Sequence, residues 1–174
     1  MKKLFLALVL VATSFMFWSC EDDTVDSLTG SVKFNLKGTA YNYTGAVSKN
    51  VGSKFIITTG SAQGAVAISL ENSTAGTYKL GIGNSLTDAA TFISSGLNYE
   101  ALTNTILFYP FKGGEKYMIL GGTCTITSSG NQVKGTFSGV AVSLSELSNI
   151  DASALLSIVT GSSNVTGEFI AYKL

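Results

Sequence analysis

Apolar side chains recur at every second position in the part of the chain that follows Ser31. Val32, Phe34 and Leu36 alternate with polar residues, and Gly38 then interrupts the pattern. A period of two is typical of a β-strand that buries one of its faces. The chain is therefore restricted to folds in which sheets pack against each other or close on themselves, because such strands cannot form a helix bundle.

Further segments of strand composition lie between glycine-rich turns, and together they predict roughly nine or ten short strands. The predicted strands lie at 32–37, around 41–43, and at 55–57, 65–70, 77–80, 105–109, 117–127, 132–144 and 165–172. Residues 145–157 have near-helical spacing behind a candidate Ser145 cap, and they predict either one short helix or a long crossover. Residues 31–174 are thus expected to form one all-β domain, an antiparallel β-sandwich of the Greek-key type or, alternatively, a small lipocalin-like β-barrel.

The longest predicted hairpin turns at 128–131 and contains a change of parity on its second arm. Val133 and Phe137 have one parity, whereas Val140 has the other. A slip of one residue would move every later side chain to the opposite face of the sheet. The sequence therefore predicts a β-bulge at Ser138-Gly139, because glycine accepts the extra residue.

Residues 1–19 have the composition of a signal peptide. Lys2 and Lys3 precede an uncharged, largely apolar run at 4–17, which would be about 21 Å long as a helix. A bilayer core is ~30 Å thick, so this run predicts a cleaved leader rather than a membrane span.

The end of this leader, Phe17-Trp18-Ser19-Cys20, resembles a bacterial lipobox, in which a small residue precedes the modified cysteine. The resemblance implies cleavage between Ser19 and Cys20, a diacylglyceryl group on the Cys20 sulfur, and N-acylation of the new terminus. Two or more acyl chains anchor a protein stably in a membrane. The expected membrane contact is therefore made through this lipid.

Residues 20–30 are predicted to form an acylated acidic tether. An acidic tract follows the cysteine directly: Glu21, Asp22 and Asp23. This tract resembles the surface-export signal of Bacteroidota lipoproteins, which implies an outer-membrane location with display at the cell surface. Thr24 and Ser27 lie in triplets that resemble the O-glycosylation sites of the same phylum.

The composition excludes several kinds of chemistry. The chain has no histidine and no arginine, and its formal net charge is +0. Ser-His-Asp and Cys-His nucleophiles and His-ligated metals are therefore excluded, and no basic field is present to attract nucleic acid. No cofactor, no metal and no enzymatic activity are predicted. A glycoside hydrolase that uses two distant carboxylates remains an alternative.

Cysteine and tyrosine give the remaining candidates for a site. Lipidation of Cys20 leaves Cys124 without a disulfide partner, and its parity with Ile126 predicts a buried, unreactive thiol. Five tyrosines are candidates for an exposed ligand face or, alternatively, for the core or the rim of the sheet: Tyr41, Tyr43, Tyr99, Tyr109 and Tyr117.

The segments 67–70, 76–78, 122–142 and 165–169 resemble a domain family of unknown function found in Bacteroidota lipoproteins. The resemblance implies an extracytoplasmic β domain without an assigned activity. The expected function is non-catalytic binding or scaffolding at the cell surface, with a glycan or an envelope protein as partner. A lipocalin-like carrier of a small apolar ligand is the alternative.

Overall fold

A computed structural model describes residues 29–62, 64–98, 101–110, 114–148 and 150–174. Strands account for 56% of the described residues, which confirms the all-β prediction. The predicted leader, the lipobox, most of the tether and Tyr99 lie outside the described residues. The described elements are β1 (Ser31–Leu36), β2 (Thr39–Thr44), β3 (Val47–Val51), β4 (Lys54–Ser61), β5 (Gly64–Leu70), β6 (Gly76–Gly81), α1 (Leu86–Ser94), β7 (Thr105–Pro110), β8 (Tyr117–Ser129), β9 (Gln132–Ser143), α2 (Leu144–Leu147), α3 (Ala152–Val159) and β10 (Val165–Lys173).

Seven of these strands pair into a closed ring in the order β10, β3, β4, β5, β7, β8, β9 and back to β10. The β1–β2 hairpin extends the sheet beside β10, and β6 extends it beside β8. Two junctions of the ring are short, because only two residue pairs join β3 to β10 and only two join β7 to β8. The β3–β10 pair is parallel, so the sheet is not wholly antiparallel as the sequence predicted.

The interior of the ring is filled by side chains from nearly all of its strands. The ring centroids of Phe34 and Phe108 are 4.8 Å apart, and those of Phe108 and Phe137 are 6.0 Å apart. Full burial of one such side chain stabilises the fold by about 1.5–3 kcal/mol. These aromatic contacts therefore pack β1 and β9 against β7.

A second core lies outside the ring, where α1 and α3 cover parts of β8 and β9. Val140 and Val142 point into this second core, whereas Phe137 points into the first. The predicted bulge at Ser138-Gly139 is therefore wrong. Pairing along β9 is continuous there, and the register shifts lie at Ile119/Gly121 and Ile126/Ser128 of β8. The change of parity in the sequence arises because both faces of β9 are buried at this end.

The helices begin at capping residues. Ser85 and Asp88 form a capping box for α1, and Ser143 and Glu146 form one for α2. The Asp151 side chain accepts hydrogen bonds from two backbone N–H groups of α3. The segment predicted as one helix or a crossover thus holds two helices, with Ser143 rather than Ser145 as the first cap. The sequence analysis missed α1.

Candidate binding surface

The outer face of six neighbouring strands presents a continuous polar surface. The strands β2, β1, β10, β9, β8 and β6 lie side by side, and their outward residues form two rows that cross all of them. We call these rows the polar face. The first row is Asn42, Lys33, Glu168, Thr136, Thr125 and Thr77, and the second is Ala40, Asn35, Thr166, Ser138, Thr123 and Lys79.

The polar face exists because inward apolar and outward polar residues alternate along much of these strands. In β1 the inward side chains of Val32 and Phe34 are buried, whereas Lys33 and Asn35 between them are exposed. Successive side chains of a strand point to opposite faces of the sheet, so one register brings all the polar partners onto one face. Hydroxyl, amide, ammonium and carboxylate groups are therefore displayed together.

The polar face contains an open groove with a volume of about 600 Å³ across β2, β1, β10 and β9. The residues with polar side chains that line it are Lys33, Asn35, Tyr41, Asn42, Thr136, Thr166 and Glu168, and Tyr41 belongs to the predicted set of tyrosines. The Lys33 ammonium lies 3.7 Å from the Glu168 carboxylate in the middle of the groove, and both side chains are more than half exposed. An exposed pair of this kind contributes only about 0–1 kcal/mol, so both groups remain free to exchange partners with a ligand.

A second polar cluster lies at one end of the ring, where the β1–β2 turn, β8 and α2 meet. The Tyr117 hydroxyl donates to Glu115 Oε2 at 2.9 Å, and the Ser145 hydroxyl donates to Glu115 Oε1 at 2.6 Å. The hydroxyl oxygens of Ser143 and Ser145 are 3.0 Å apart, and the Ser143 N–H donates to Glu146 at 3.0 Å. One hydrogen-bonded chain therefore connects the two carboxylates.

This cluster shifts the pKa values of its members in a consistent direction. Hydrogen bonds from Ser145, Ser143 and Tyr117 lower the pKa of Glu115. The Ser143 N–H lowers the pKa of Glu146. Burial, followed by the hydrogen bond to Glu115, raises the pKa of Tyr117 to about 12. Near neutral pH the carboxylates are thus ionised and the phenol is protonated.

Lys37 completes the cluster from the turn between β1 and β2. Its ammonium lies 3.6 Å from the Glu146 carboxylate and 5.1 Å from the centroid of the Tyr117 ring. Lys37 and Gly38 both have positive φ, at 49° and 86°, as a two-residue type I′ hairpin turn requires. The turn therefore directs a cation toward two carboxylates that are distant in sequence.

The pKa directions of these two carboxyl groups bear on the glycosidase alternative. A glycosidase needs one carboxyl group whose pKa is raised, so that it can donate a proton near neutral pH. In this cluster the pKa values of both Glu115 and Glu146 are lowered. The sequence analysis singled out neither acid, although the Ser143-x-x-Glu146 spacing is a capping-box signal.

The four described tyrosines of the predicted set do not share one exposed face. Tyr43 is 1% exposed and packs in the inner core, so it is not part of a ligand face. Tyr41 stacks on Phe34 with 4.8 Å between ring centroids, and Tyr117 also packs against this core. Tyr109 packs against the second core, outside the ring. A ligand-binding role for the half-buried Tyr41, Tyr109 and Tyr117 stays a prediction.

The thiol of Cys124 lies in the inner core. The residue is 0% exposed, and burial raises its pKa to about 12. The described part of the chain contains no group of three or more His, Cys, Asp and Glu residues that could hold a metal ion. Among the described helices, none has the length and apolar character needed to cross a membrane.

Comparison of the chain with protein-family models, with curated proteins and with solved structures gave no match.

Proposed function

We propose that the protein is a lipoprotein of the outer membrane, displayed at the cell surface, whose β domain is a non-catalytic binding module. In this proposal Cys20 is acylated after cleavage of residues 1–19, and the acidic residues that follow it direct surface export. The ligand of the β domain is a polar glycan that lies in the groove of the polar face.

The observation that carries the binding proposal is the chemistry of the groove. Its lining combines two amides, three hydroxyl-bearing side chains and an exposed ion pair, which can donate to and accept from the hydroxyl groups of a sugar. Asn42, Thr136 and Thr166 are exposed side chains on three different strands. A ligand that crosses the strands could therefore bond to several of them at once.

The packed interior supports a binding module over a carrier. A carrier of an apolar ligand needs an internal cavity lined by apolar side chains. The aromatic rings of Phe34, Phe108 and Phe137 instead occupy the interior of the ring. The lowered pKa values of Glu115 and Glu146 likewise support binding without glycoside hydrolysis.

For the fold, we propose a β-sandwich whose two sheets join at their corners. One sheet would hold the six strands of the polar face, and the other would hold β3, β4, β5 and β7. The junctions between the two groups have only two residue pairs each, whereas pairings within the groups run along most of each strand. Short junctions are expected where two packed sheets meet at a corner.

The glycan proposal can be tested by affinity electrophoresis in gels that contain soluble starch, xylan or mannan. We expect at least one polysaccharide to retard the protein. Thr136→Val and Thr166→Val preserve shape and remove a hydroxyl, so the double variant should bind about tenfold more weakly. Thr58→Val, which changes a half-exposed threonine on β4, is the matched control and should bind normally. Equal retardation of all variants would show that the groove is not the binding site.

The anchoring proposal can be tested separately by metabolic labelling with an alkyne-bearing fatty acid. We expect the wild-type chain and a Cys124→Ala variant to be labelled, and a Cys20→Ala variant to remain unlabelled. Cys124→Ala is the matched control, because it removes the other cysteine of the chain. Labelling of the Cys20→Ala variant would contradict lipid attachment at this sulfur.

A further inference from the structure

Strand β2 has an open hydrogen-bonding edge. One edge of β2 pairs with β1 along all six residues, and no other described strand pairs with β2. Neighbouring residues of an antiparallel strand direct their N–H and C=O groups alternately toward the partner and away from it. Every second residue of β2 therefore points its backbone groups to this open edge.

The Thr44 carbonyl identifies which residues of β2 point outward. It accepts a hydrogen bond of 2.7 Å from the Thr59 hydroxyl of β4, so it points away from β1. By alternation, the N–H and C=O groups of Ala40 and Asn42 also point away from β1. Both residues are exposed. Four adjacent backbone groups are thus available to a further strand.

Other edges of the sheet are covered over part of their length. On β6, Asn104 covers the end of the edge at Lys79 and Gly81, since its side chain donates to the Lys79 carbonyl at 3.1 Å and its carbonyl accepts from the Gly81 N–H at 2.9 Å. On β3, the Leu174 N–H donates to the Ser48 carbonyl at 2.9 Å. Native proteins normally protect free edges in such ways, or with charge, proline or a bulge.

The sequence of β2 contains none of these protective features. Residues 38–48 include no charged residue and no proline. The register of β2 with β1 is also continuous, without a bulge. Thr59 of β4 covers the Thr44 end of this edge. The part from Thr39 to Asn42 is uncharged and regular, and it is a template for another strand.

We propose that β2 pairs with β2 of a second copy of this chain, in antiparallel orientation about a two-fold axis. The register places Tyr41 opposite the same residue of the partner copy and Ala40 opposite the partner copy's Asn42. Ala40 and Asn42 carry the outward backbone groups, so each pair exchanges two hydrogen bonds. The strand is self-complementary, because its neutral composition brings no like charges together.

This pairing joins the two polar faces into one continuous surface. The outward side chains of Ala40 and Asn42 lie on the polar face in each copy. Pairing of the two β2 strands therefore places one groove on each side of the two-fold axis. A bivalent surface of this kind holds a long polymeric ligand more tightly than one groove alone.

Charge substitution tests the interface in the full-length chain purified in detergent, with mass measured by light scattering over a concentration series. We expect the wild-type chain to reach the mass of a dimer. Ala40→Lys with Asn42→Lys places lysines opposite each other across the axis, so this double variant should remain monomeric with an unchanged circular dichroism spectrum. Mixing it with the Ala40→Glu, Asn42→Glu double variant should restore a dimer. Thr77→Lys with Thr123→Lys adds the same charge elsewhere on the polar face and should leave the dimer intact.

Cysteine cross-linking tests the register and does not depend on the charge variants. Opposed residues of a hydrogen-bonded pair have Cα atoms ~5.5 Å apart, which suits a disulfide. A mixture of Ala40→Cys and Asn42→Cys chains should therefore cross-link strongly under mild oxidation. Each variant alone should cross-link weakly, because identical residues would be too far apart for a disulfide. Three results would overturn the proposal. In light scattering they are a wild-type chain that stays monomeric at every concentration and a dimer that survives the two lysine substitutions. In cross-linking it is an equal yield of disulfide in all samples.

Discussion

Two phenylalanines and two glycines interlock across β9 and β10. Phe137 lies directly opposite Gly167, and Phe169 lies directly opposite Gly135. A Cβ atom added at Gly167 would lie 2.7 Å from the Lys33 carbonyl oxygen and 2.8 Å from Phe137 Cε1, and it would be closer still to Cζ of the same ring. Real Cβ atoms essentially never make contacts below 3.0 Å. Gly167→Ala therefore forces either the ring or the β1 backbone to move.

The expected cost of Gly167→Ala follows from these neighbours. Overpacking a tight core costs about 1–3 kcal/mol. The upper part of this range applies, because the Lys33 carbonyl belongs to a strand that is paired on both sides. Replacing glycine in a strand returns about 0.5–1 kcal/mol of conformational entropy. We therefore expect a loss of about 2 kcal/mol in the free energy of unfolding.

Urea unfolding followed by circular dichroism measures this loss. Phe137→Leu shortens the ring side chain and should itself cost less than about 1.5 kcal/mol. In that background the cost of Gly167→Ala should fall by at least about 1 kcal/mol, since the clash with the ring is relieved. Gly60→Ala on β4 is the matched control, because the nearest atom to its added Cβ is 3.8 Å away. This control should be neutral or stabilising by up to about 1 kcal/mol. A Gly167→Ala variant as stable as wild type, or strictly additive effects of the two substitutions, would refute the packing argument.

Three further predictions concern titratable groups. The pKa of Glu115 is lower in the folded chain than in the unfolded chain. The ionised Glu115 carboxylate therefore stabilises the fold above pH ~4.5, and this stabilisation is lost as the pH falls further. Glu115→Gln should flatten the decline in the thermal midpoint between neutral and acidic pH. Burial and the hydrogen bond to Glu115 raise the pKa of Tyr117 to about 12, so stability should fall as the pH increases from ~10 toward this value. Tyr117→Phe should weaken that alkaline decline, and an unchanged slope would contradict the raised pKa. Burial raises the pKa of the Cys124 thiol to about 12. A maleimide should therefore leave Cys124 unmodified at pH 8 in the native chain and modify it in urea, which mass mapping would show. Rapid labelling of Cys124 in the native chain would contradict its burial.

Local sequence patterns predicted the strands because each pattern reports which face of a segment is buried. Val32, Phe34 and Leu36 alternate as expected, and all three are buried. Cys124 is likewise buried, as its parity with Ile126 indicated. Such features depend on a single strand and on the water-exposed or apolar environment of its two faces. They were accessible without knowledge of strand pairing.

Capping signals were also present in the sequence but were not used fully. Ser85 and Asp88 have the spacing of a capping box, yet α1 was missed, because its nine residues lie between strands and carry only short apolar runs. The spacing of Ser143 and Glu146 gives the start of α2 in the same way. These were recoverable signals, since a capping box is a local hydrogen-bonding pattern.

By itself, the sequence determined the alternation of buried and exposed residues, the positions of most turns and the absence of histidine chemistry. Only the tertiary structure decided which strands are neighbours, and with them the polar face, the open edge of β2 and the contact of Glu115 with Ser145. It also showed why the apolar residues of β9 change parity at Val140: helices cover the outer face of the sheet there, and β9 contains no bulge. The physical reason is that burial is encoded residue by residue, whereas the pairing of distant strands depends on how all the buried faces fit around common cores.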